Sequence, residues 1–278
     1  MELKVLSFNI WDLPLFFVKN RKARIKGTAE YLKKLNADII CLQESFDTKH
    51  RLFLKDALTD NYYMAGDTEE TRRILFFKLL DMSGGLVIFS KFPILESNFV
   101  SYSRLFNSAA GEVLARKGFL EAIVKTPKGK IRILNTHLHE ETPLFDQAVR
   151  MSQLAKLFGL IRQDNLPTIL TGDFNEEALM HQEKFSALFD SRGFKHPIKA
   201  ANAKDVVPTH RPGNPYVDNW MNRTSIPKRY DYILIKGMDK LGLAATRYEP
   251  QIINPPLSDH DPILLVLSEK EHAPFSVI

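Results

Sequence analysis

Six places in this chain set polar, metal-capable side chains beside short apolar runs. Asn9 follows Val-Leu-Ser-Phe, Glu44 follows Ile-Ile-Cys-Leu-Gln, and His137 follows Ile-Leu-Asn-Thr. Asp173 and Asn175 come after Thr-Ile-Leu-Thr-Gly, Asp231 lies within Arg-Tyr-Asp-Tyr-Ile, and Asp259-His260 precedes the last apolar run. Carboxylates with an amide oxygen make a hard-oxygen site suited to Mg²⁺, while two histidines and a further aspartate supply proton transfer. Such a set describes metal-assisted attack of water on phosphorus. Each residue alone has a plainer role: Asn9 could cap a turn, Glu44 could be a solvated strand end, and Asp173 with Asn175 could form an Asx-turn. Their joint occurrence favours a site.

For these residues to meet, the apolar runs must be strands that deliver their ends to one rim. β-branched and apolar runs at 3–10, 38–43, 85–90, 119–125, 130–136, 168–172, 230–236 and 262–267 predict strands. Residues 21–35 carry Ile25, Ala29, Leu32 and Leu35 on one helical stripe, and residues 145–162 carry Ala148, Met151, Leu154, Ala155 and Phe158 on another. Both stripes predict helices covering a sheet. Pro127-Lys-Gly129 suits a hairpin between the fourth and fifth runs. The resulting expectation is a mixed α/β sandwich forming a single domain over residues 1–278, with its longest loop at 205–227.

Composition narrows the class further. Hydrophobic residues at 44% and charged residues at 26% are those of a soluble globular chain, and no run approaches the ~20 apolar residues of a membrane-crossing helix. No signal peptide is visible at Glu2-Leu-Lys-Val-Leu-Ser-Phe-Asn-Ile10, so a soluble protein is expected, cytoplasmic or secreted. The net charge of +5 favours phosphate-bearing partners without choosing between nucleic acid and lipid. Cys41, the lone cysteine, reads as a buried small hydrophobe. The basic runs Lys19 to Lys26 and Lys33-Lys34 fall on the first helix and read as a solvated face.

The strings Leu6-Ser-Phe-Asn-Ile-Trp11, Leu42-Gln-Glu44, Asn135-Thr-His137, Thr171-Gly-Asp-Phe-Asn175, Tyr230-Asp-Tyr-Ile233 and Leu257-Ser-Asp-His260 resemble, in order, the motif blocks of the endonuclease/exonuclease/phosphatase superfamily. That resemblance implies a deoxyribonuclease I-like, four-layer α/β sandwich in which two mixed β-sheets are flanked by helices. It implies that Glu44 and Asn9, helped by Asp259, hold a catalytic Mg²⁺, or Mn²⁺ or another divalent ion in its place. Asp173 and Asn175 would position the attacking water and phosphate, His137 would stabilise developing charge, and Asp231 would orient His260. Either Asp173 or His260 is then the base.

Among substrates, the flanks are similar to neutral sphingomyelinases: Asn9-Ile-Trp-Asp-Leu-Pro14 followed by Lys19-Asn-Arg-Lys-Ala-Arg24 opening a helix, Ser83-Gly-Gly-Leu-Val-Ile-Phe-Ser-Lys-Phe-Pro93, and Arg116-Lys-Gly-Phe119. The resemblance implies hydrolysis of a phospholipid headgroup bond, sphingomyelin first, at a membrane surface; no obligate protein partner is evident in the sequence. The alternative is a nuclease or phosphoesterase of the same fold acting on nucleic acid or inositol phosphates; nucleic acid is possible but finds no positive support in the basic runs. Lys117 could meet the substrate phosphate or be a surface lysine at a turn. Phe16 and Phe17, and Phe76 and Phe77 in Ile74-Leu-Phe-Phe-Lys-Leu-Leu80, are candidates for membrane contact, against the plainer reading of a buried element.

Overall fold

The computed structural model describes residues 1–14, 18–66, 70–74, 77–82, 84–102, 116–140, 146–162, 164–177, 183–197, 207–217 and 226–269. Two mixed sheets stack face to face. The first contains β1 (Glu2–Asn9), β2 (Ile39–Gln43), β3 (Tyr63–Gly66), β6 (Val87–Ser90), β12 (Leu243–Pro250) and β13 (Ile263–Glu269), in the order β12-β13-β1-β2-β6-β3. The second contains β7 (Ile94–Ser101), β8 (Gly118–Thr126), β9 (Gly129–His137), β10 (Thr168–Asp173) and β11 (Asp231–Lys236), in the order β11-β10-β9-β8-β7. A separate antiparallel pair joins β4 (Glu70–Ile74) to β5 (Phe77–Met82). Phe16, Phe17 and Phe76 lie outside the described residues, as does the side chain of Phe77, whose backbone opens β5.

Each sheet has one parallel pair, β1 with β2 and β9 with β10, and every other pairing is antiparallel. Parallel neighbours need a crossover, which α1 (Arg21–Leu35) and α3 (Asp146–Leu160) supply. α2 (Thr48–Leu58) joins α1 on the outer face of the first sheet, where Ile25, Ala29, Leu32, Leu54 and Leu58 pack on Leu6, Phe8, Ile40 and Leu42. On the other outer face, α3 and α4 (Glu183–Ser191) bury Leu154, Leu157, Phe158, Phe185 and Phe189 against Leu134, Leu170, Tyr232 and Leu234. Helix, sheet, sheet and helix make four layers, the expected sandwich.

Strand alternation carries the polar residues to the rim. The inner faces present Leu3 and Val5 on β1, Ile39 and Cys41 on β2, Ile131 and Ile133 on β9, and Ile169 on β10, all packed in one inter-sheet core. Cys41 is fully buried there, and burial pushes its thiol up to about 12. With side chains alternating every second residue, the same faces continue through Ser7, Gln43, Asn135 and Thr171. One further step brings Asn9, His137 and Asp173. Gln43 Nε2 donates to Ser7 Oγ at 3.2 Å and to Asn135 Oδ1 at 2.7 Å, and Asn135 Nδ2 donates to the carbonyls of Leu42 at 2.8 Å and Val87 at 3.0 Å. An amide layer therefore joins the two sheets between the apolar core and the charged rim.

Candidate active site

Asp173 stands at the centre of the rim. In register it pairs with His137 on one side and Asp231 on the other, so the ends of β9, β10 and β11 coincide. Gly172 permits this closeness: with φ 156°, a Cβ there would lie 2.1 Å from the Thr136 carbonyl oxygen. The Asp173 side chain has two partners of different kinds. Oδ1 accepts the Asn175 backbone N–H at 2.9 Å, while Oδ2 accepts Asn9 Nδ2 at 2.9 Å. The Asx-turn and the site thus share one carboxylate. Asn175, at φ 49°, donates through Nδ2 to the Leu138 carbonyl at 3.1 Å.

Glu44 reaches the cluster because the chain leaves the strand there. Continued alternation would send it after Leu42 to the outer face, but its φ of 52° breaks the pleat. Its Oε1 then accepts Asn9 Nδ2 at 3.0 Å, so one amide bridges carboxylates from both sheets. Asn9 Oδ1 accepts the Trp11 backbone N–H at 3.0 Å, a local turn coexisting with the site role. Burial first, then the neighbouring charges of Asp259 and Glu140, push the Glu44 carboxyl up to about 8 despite the Asn9 hydrogen bond.

His260 and His137 have opposite proton preferences. Burial alone would drive the proton off His260, but Asp231, Asp173 and Asp259 together hold its pKa well above the ordinary value. Asp231 Oδ2 lies 2.7 Å from His260 Nδ1, which leaves Nε2 directed to Asp173 Oδ2 at 3.7 Å. Burial keeps the Asp231 and Asp259 carboxyls above the usual carboxylate range, and Asp259 Oδ1 accepts the Ser258 hydroxyl at 3.1 Å. His137 is pushed well below its usual value by burial, then by Lys117 and His260, so it is neutral. Among the described residues its buried Nε2 has no hydrogen-bond partner; it lies 4.0 Å from Glu44 Oε1 and 3.8 Å from Asp173 Oδ2. One ligand atom from each of Glu44, His137 and Asp173 falls within 4.8 Å of the others. An unpartnered neutral imidazole nitrogen facing two carboxylates fits a divalent cation in donor type.

Lys117 is no surface lysine at a turn. It is buried, and its Nζ donates to the Leu138 carbonyl at 2.9 Å and pairs with Glu140 at 3.0 Å. Lys117 is the largest cause holding Glu140 down at about 2. A lysine before a strand carries no mark of burial in the sequence, so only the geometry removes the surface reading.

Three residues that the sequence reading did not single out complete the site. Arg24 belongs to the basic run read as a solvated face, yet it is buried. Its guanidinium donates to the carbonyls of Ile10 at 2.8 Å, Trp11 at 2.8 Å, Leu257 at 3.1 Å and Lys19 at 3.0 Å. It also lies 4.9 Å from the Trp11 ring centre and 5.2 Å from that of Tyr216. The loop leaving Asn9 and the loop approaching Asp259 are thereby clamped together. A lone cation at an otherwise inward helical position, one residue before Ile25, was the available signal. Thr209 Oγ1 accepts the backbone N–H groups of Tyr230 at 3.2 Å and Asp231 at 3.3 Å. His210 forms a backbone bridge to His260 with ring centres 5.3 Å apart, and burial lowers it to about 3. Both lie in the long 205–227 loop, where no periodicity marks them.

With this geometry the chain can be placed among known proteins. Residues 6–260 match the model of the Endonuclease/Exonuclease/phosphatase family, and the chain belongs to that family. It is 32% identical over 188 residues to the inositol phosphosphingolipids phospholipase C of Schizosaccharomyces pombe, a match covering 64% of this chain and 42% of that protein. To sphingomyelinase C 2 of Leptospira interrogans it is 26% identical over 195 residues, covering 63% of this chain and 31% of the relative. These matches thus span less than half of either relative. Among solved structures, that of SmcL superposes with a TM-score of 0.74 at 18% identity, covering 96% of this chain and 99% of the other. At that identity the likeness concerns the fold.

Proposed function

We propose that the chain is a Mg²⁺-dependent phosphodiesterase that hydrolyses the headgroup bond of a phosphosphingolipid, sphingomyelin first. The observation that carries this reading is the Asp231–His260 pair at 2.7 Å, facing an Asp173 carboxylate that shares the Asn9 amide with Glu44. The relatives named for phosphosphingolipid and sphingomyelin cleavage support the substrate class.

In this reading Glu44 is the principal ligand of the cation, with His137 and Asp173 beside it and Asn9 holding both carboxylates in place. Bound there, a divalent ion supplies Lewis-acid polarisation of a phosphoryl oxygen. The protonated His260 presents positive charge and a donor to the phosphate, and Asp231, accepting from Nδ1, fixes its ring orientation. Neutral His137 adds a polar contact without repelling a cation. Water attacks phosphorus as the bond to the lipid oxygen breaks. Its proton passes to Asp173, or to His260 in the fraction of molecules where that ring is neutral; the departing lipid oxygen takes up a proton, from protonated His260 in the first case and from solvent in the second, and leaves as an alcohol.

The test compares sphingomyelin vesicles, inositol phosphosphingolipid vesicles and plasmid DNA, each with Mg²⁺ and with chelator. Release of a phosphorylated headgroup from sphingolipid only with Mg²⁺ is expected, and His260→Ala should abolish it while leaving the melting profile intact. Cleavage of DNA alone would replace the substrate assignment.

A further inference from the structure

A groove between α1 and α2 takes no part in the chemistry described above. Lys22, Ala23, Ile25 and Lys26 of α1 line it together with His50 and Phe53 of α2. Phe53 is 41% exposed and its neighbour Leu52 44%, two consecutive large apolar side chains left in water. Single exposed apolar residues are ordinary on any surface, whereas an adjacent pair beside an apolar groove is a patch.

The rim of the groove is cationic. Lys22 and Lys26 are four residues apart on a helix, hence on one side of it, and both are exposed, as are Lys19 in the turn before α1 and Lys49 in the first turn of α2. Of the neighbouring acids, Glu30 and Asp56 are exposed one turn beyond Lys26 and Phe53, where Lys33, Lys34 and Lys55 are exposed as well, so the helices keep an excess of positive charge, and the other two are engaged. Asp12 binds Arg21 Nε at 3.0 Å and His50 Nδ1 at 2.9 Å, and Asp47 binds Arg21 Nη2 at 2.7 Å while capping α2.

The groove also lies beside the catalytic rim. It is built from the first turns of both helices, and these follow the loops that leave Asn9 and Glu44. His50 contacts Asp12, whose backbone N–H donates to the Glu44 carbonyl at 2.9 Å. Lysines flanking an aromatic and aliphatic surface are complementary to a bilayer interface carrying negative headgroups: the apolar side chains enter the headgroup region and the ammonium groups meet phosphates or carboxylates.

We infer that the α1–α2 groove, through Lys22, Lys26 and Phe53, docks the protein on bilayers containing anionic phospholipid. The inference rests on the proposed lipid substrate, since it gives the protein a second, non-catalytic grip on the bilayer that presents that substrate. The patch differs from Phe16, Phe17, Phe76 and Phe77, the candidates the sequence suggests.

Sedimentation with vesicles of phosphatidylcholine, with or without phosphatidylserine and free of sphingolipid, isolates docking from turnover. Binding is expected only with phosphatidylserine and should weaken as salt rises. Lys22→Glu with Lys26→Glu should lower the partition coefficient at least tenfold, and Phe53→Ser several-fold. A soluble choline phosphodiester should be hydrolysed at the wild-type rate by every variant. Unchanged partitioning in both variants, or equal binding to phosphatidylcholine alone, overturns the inference. So does binding of duplex DNA that the lysine variant loses while vesicles are not bound at all. If sphingolipid is not hydrolysed but anionic vesicles still bind through these lysines, the substrate assignment falls and the docking surface stands.

Discussion

Glu44 is held in conflict between its surroundings and its charge. A carboxyl raised to about 8 retains a proton in the fold that the unfolded chain, near its ordinary ~4.3, gives up. Its contribution to stability without metal is therefore full below ~4.3 and is lost as pH rises toward about 8. A cation bound by Glu44 must displace that proton. Apparent Mg²⁺ affinity should then climb with pH, at roughly tenfold per unit while one proton is released, and level off near the raised value. Titration calorimetry in buffers of different ionisation enthalpy measures both affinity and proton release. Glu44→Gln should weaken binding and flatten the slope; an unchanged slope would place the linked proton on Asp259 or Asp231. Asp231 acts on His260 in the opposite sense, as the largest of the influences raising that ring. Asp231→Asn should let burial dominate and bring the His260 titration down, seen in imidazole NMR shifts, with kcat reduced about 10–100-fold, as for other orienting partners of functional histidines.

At the scale of elements, the strands deliver most of the site and the loops finish it. Asn9, His137 and Asp173 were legible because strand alternation is written into the sequence: Ile131, Ile133, Asn135 and His137 occupy every second position and change from apolar to amide to imidazole along one inner face. Glu44 is found by its place after a strand, but what turns its side chain inward is a left-handed φ of 52°, which no alternation predicts. Elements with weak patterns escaped as well, among them α2, α4 and the edge strands β3, β7 and β12, which bury only part of their length. Arg24 is the instructive miss, because a cation within a basic run reads as solvated until its four carbonyl partners are seen. Arg24→Met keeps much of the stem volume and leaves those carbonyls without their donor. At about 1–3 kcal/mol for an unsatisfied buried group, and with partial access of water, a loss of about 3 kcal/mol in chemical denaturation is expected. Mg²⁺ affinity should fall at the same time, because the loop leaving Asn9 and the loop approaching Asp259 lose their common anchor. Arg24→Lys, with one compact donor group instead of a fork, should recover part of the stability and less of the affinity. A Met variant that melts earlier yet binds Mg²⁺ like the wild type would leave Arg24 a purely structural role.

For the whole molecule, the arrangement of the two sheets decides whether the site can exist at all. Glu44 and Asn9 come from one sheet and His137, Asp173 and Asp231 from the other, so no half of the sandwich holds a working set. What keeps the halves in register is the inter-sheet core together with the amide layer above it, in which Asn135 alone reaches Gln43, Leu42 and Val87 across the gap. Leucine at position 135 would match the apolar residues below it in the same strand, and alternation by itself would accept it. The physics of the layer points the other way: the substitution strands the carbonyls of Leu42 and Val87 and removes one of the acceptors of Gln43 in a region closed to water. Asn135→Leu should therefore destabilise by about 2–4 kcal/mol despite its added apolar area. Because both sheets share one core, the loss should appear as a single transition moved to lower temperature, with calorimetric and van't Hoff enthalpies in agreement, as expected of one domain. Two separated transitions, one for each sheet, would mean that the sandwich is two cooperative units and that the site forms only on their docking.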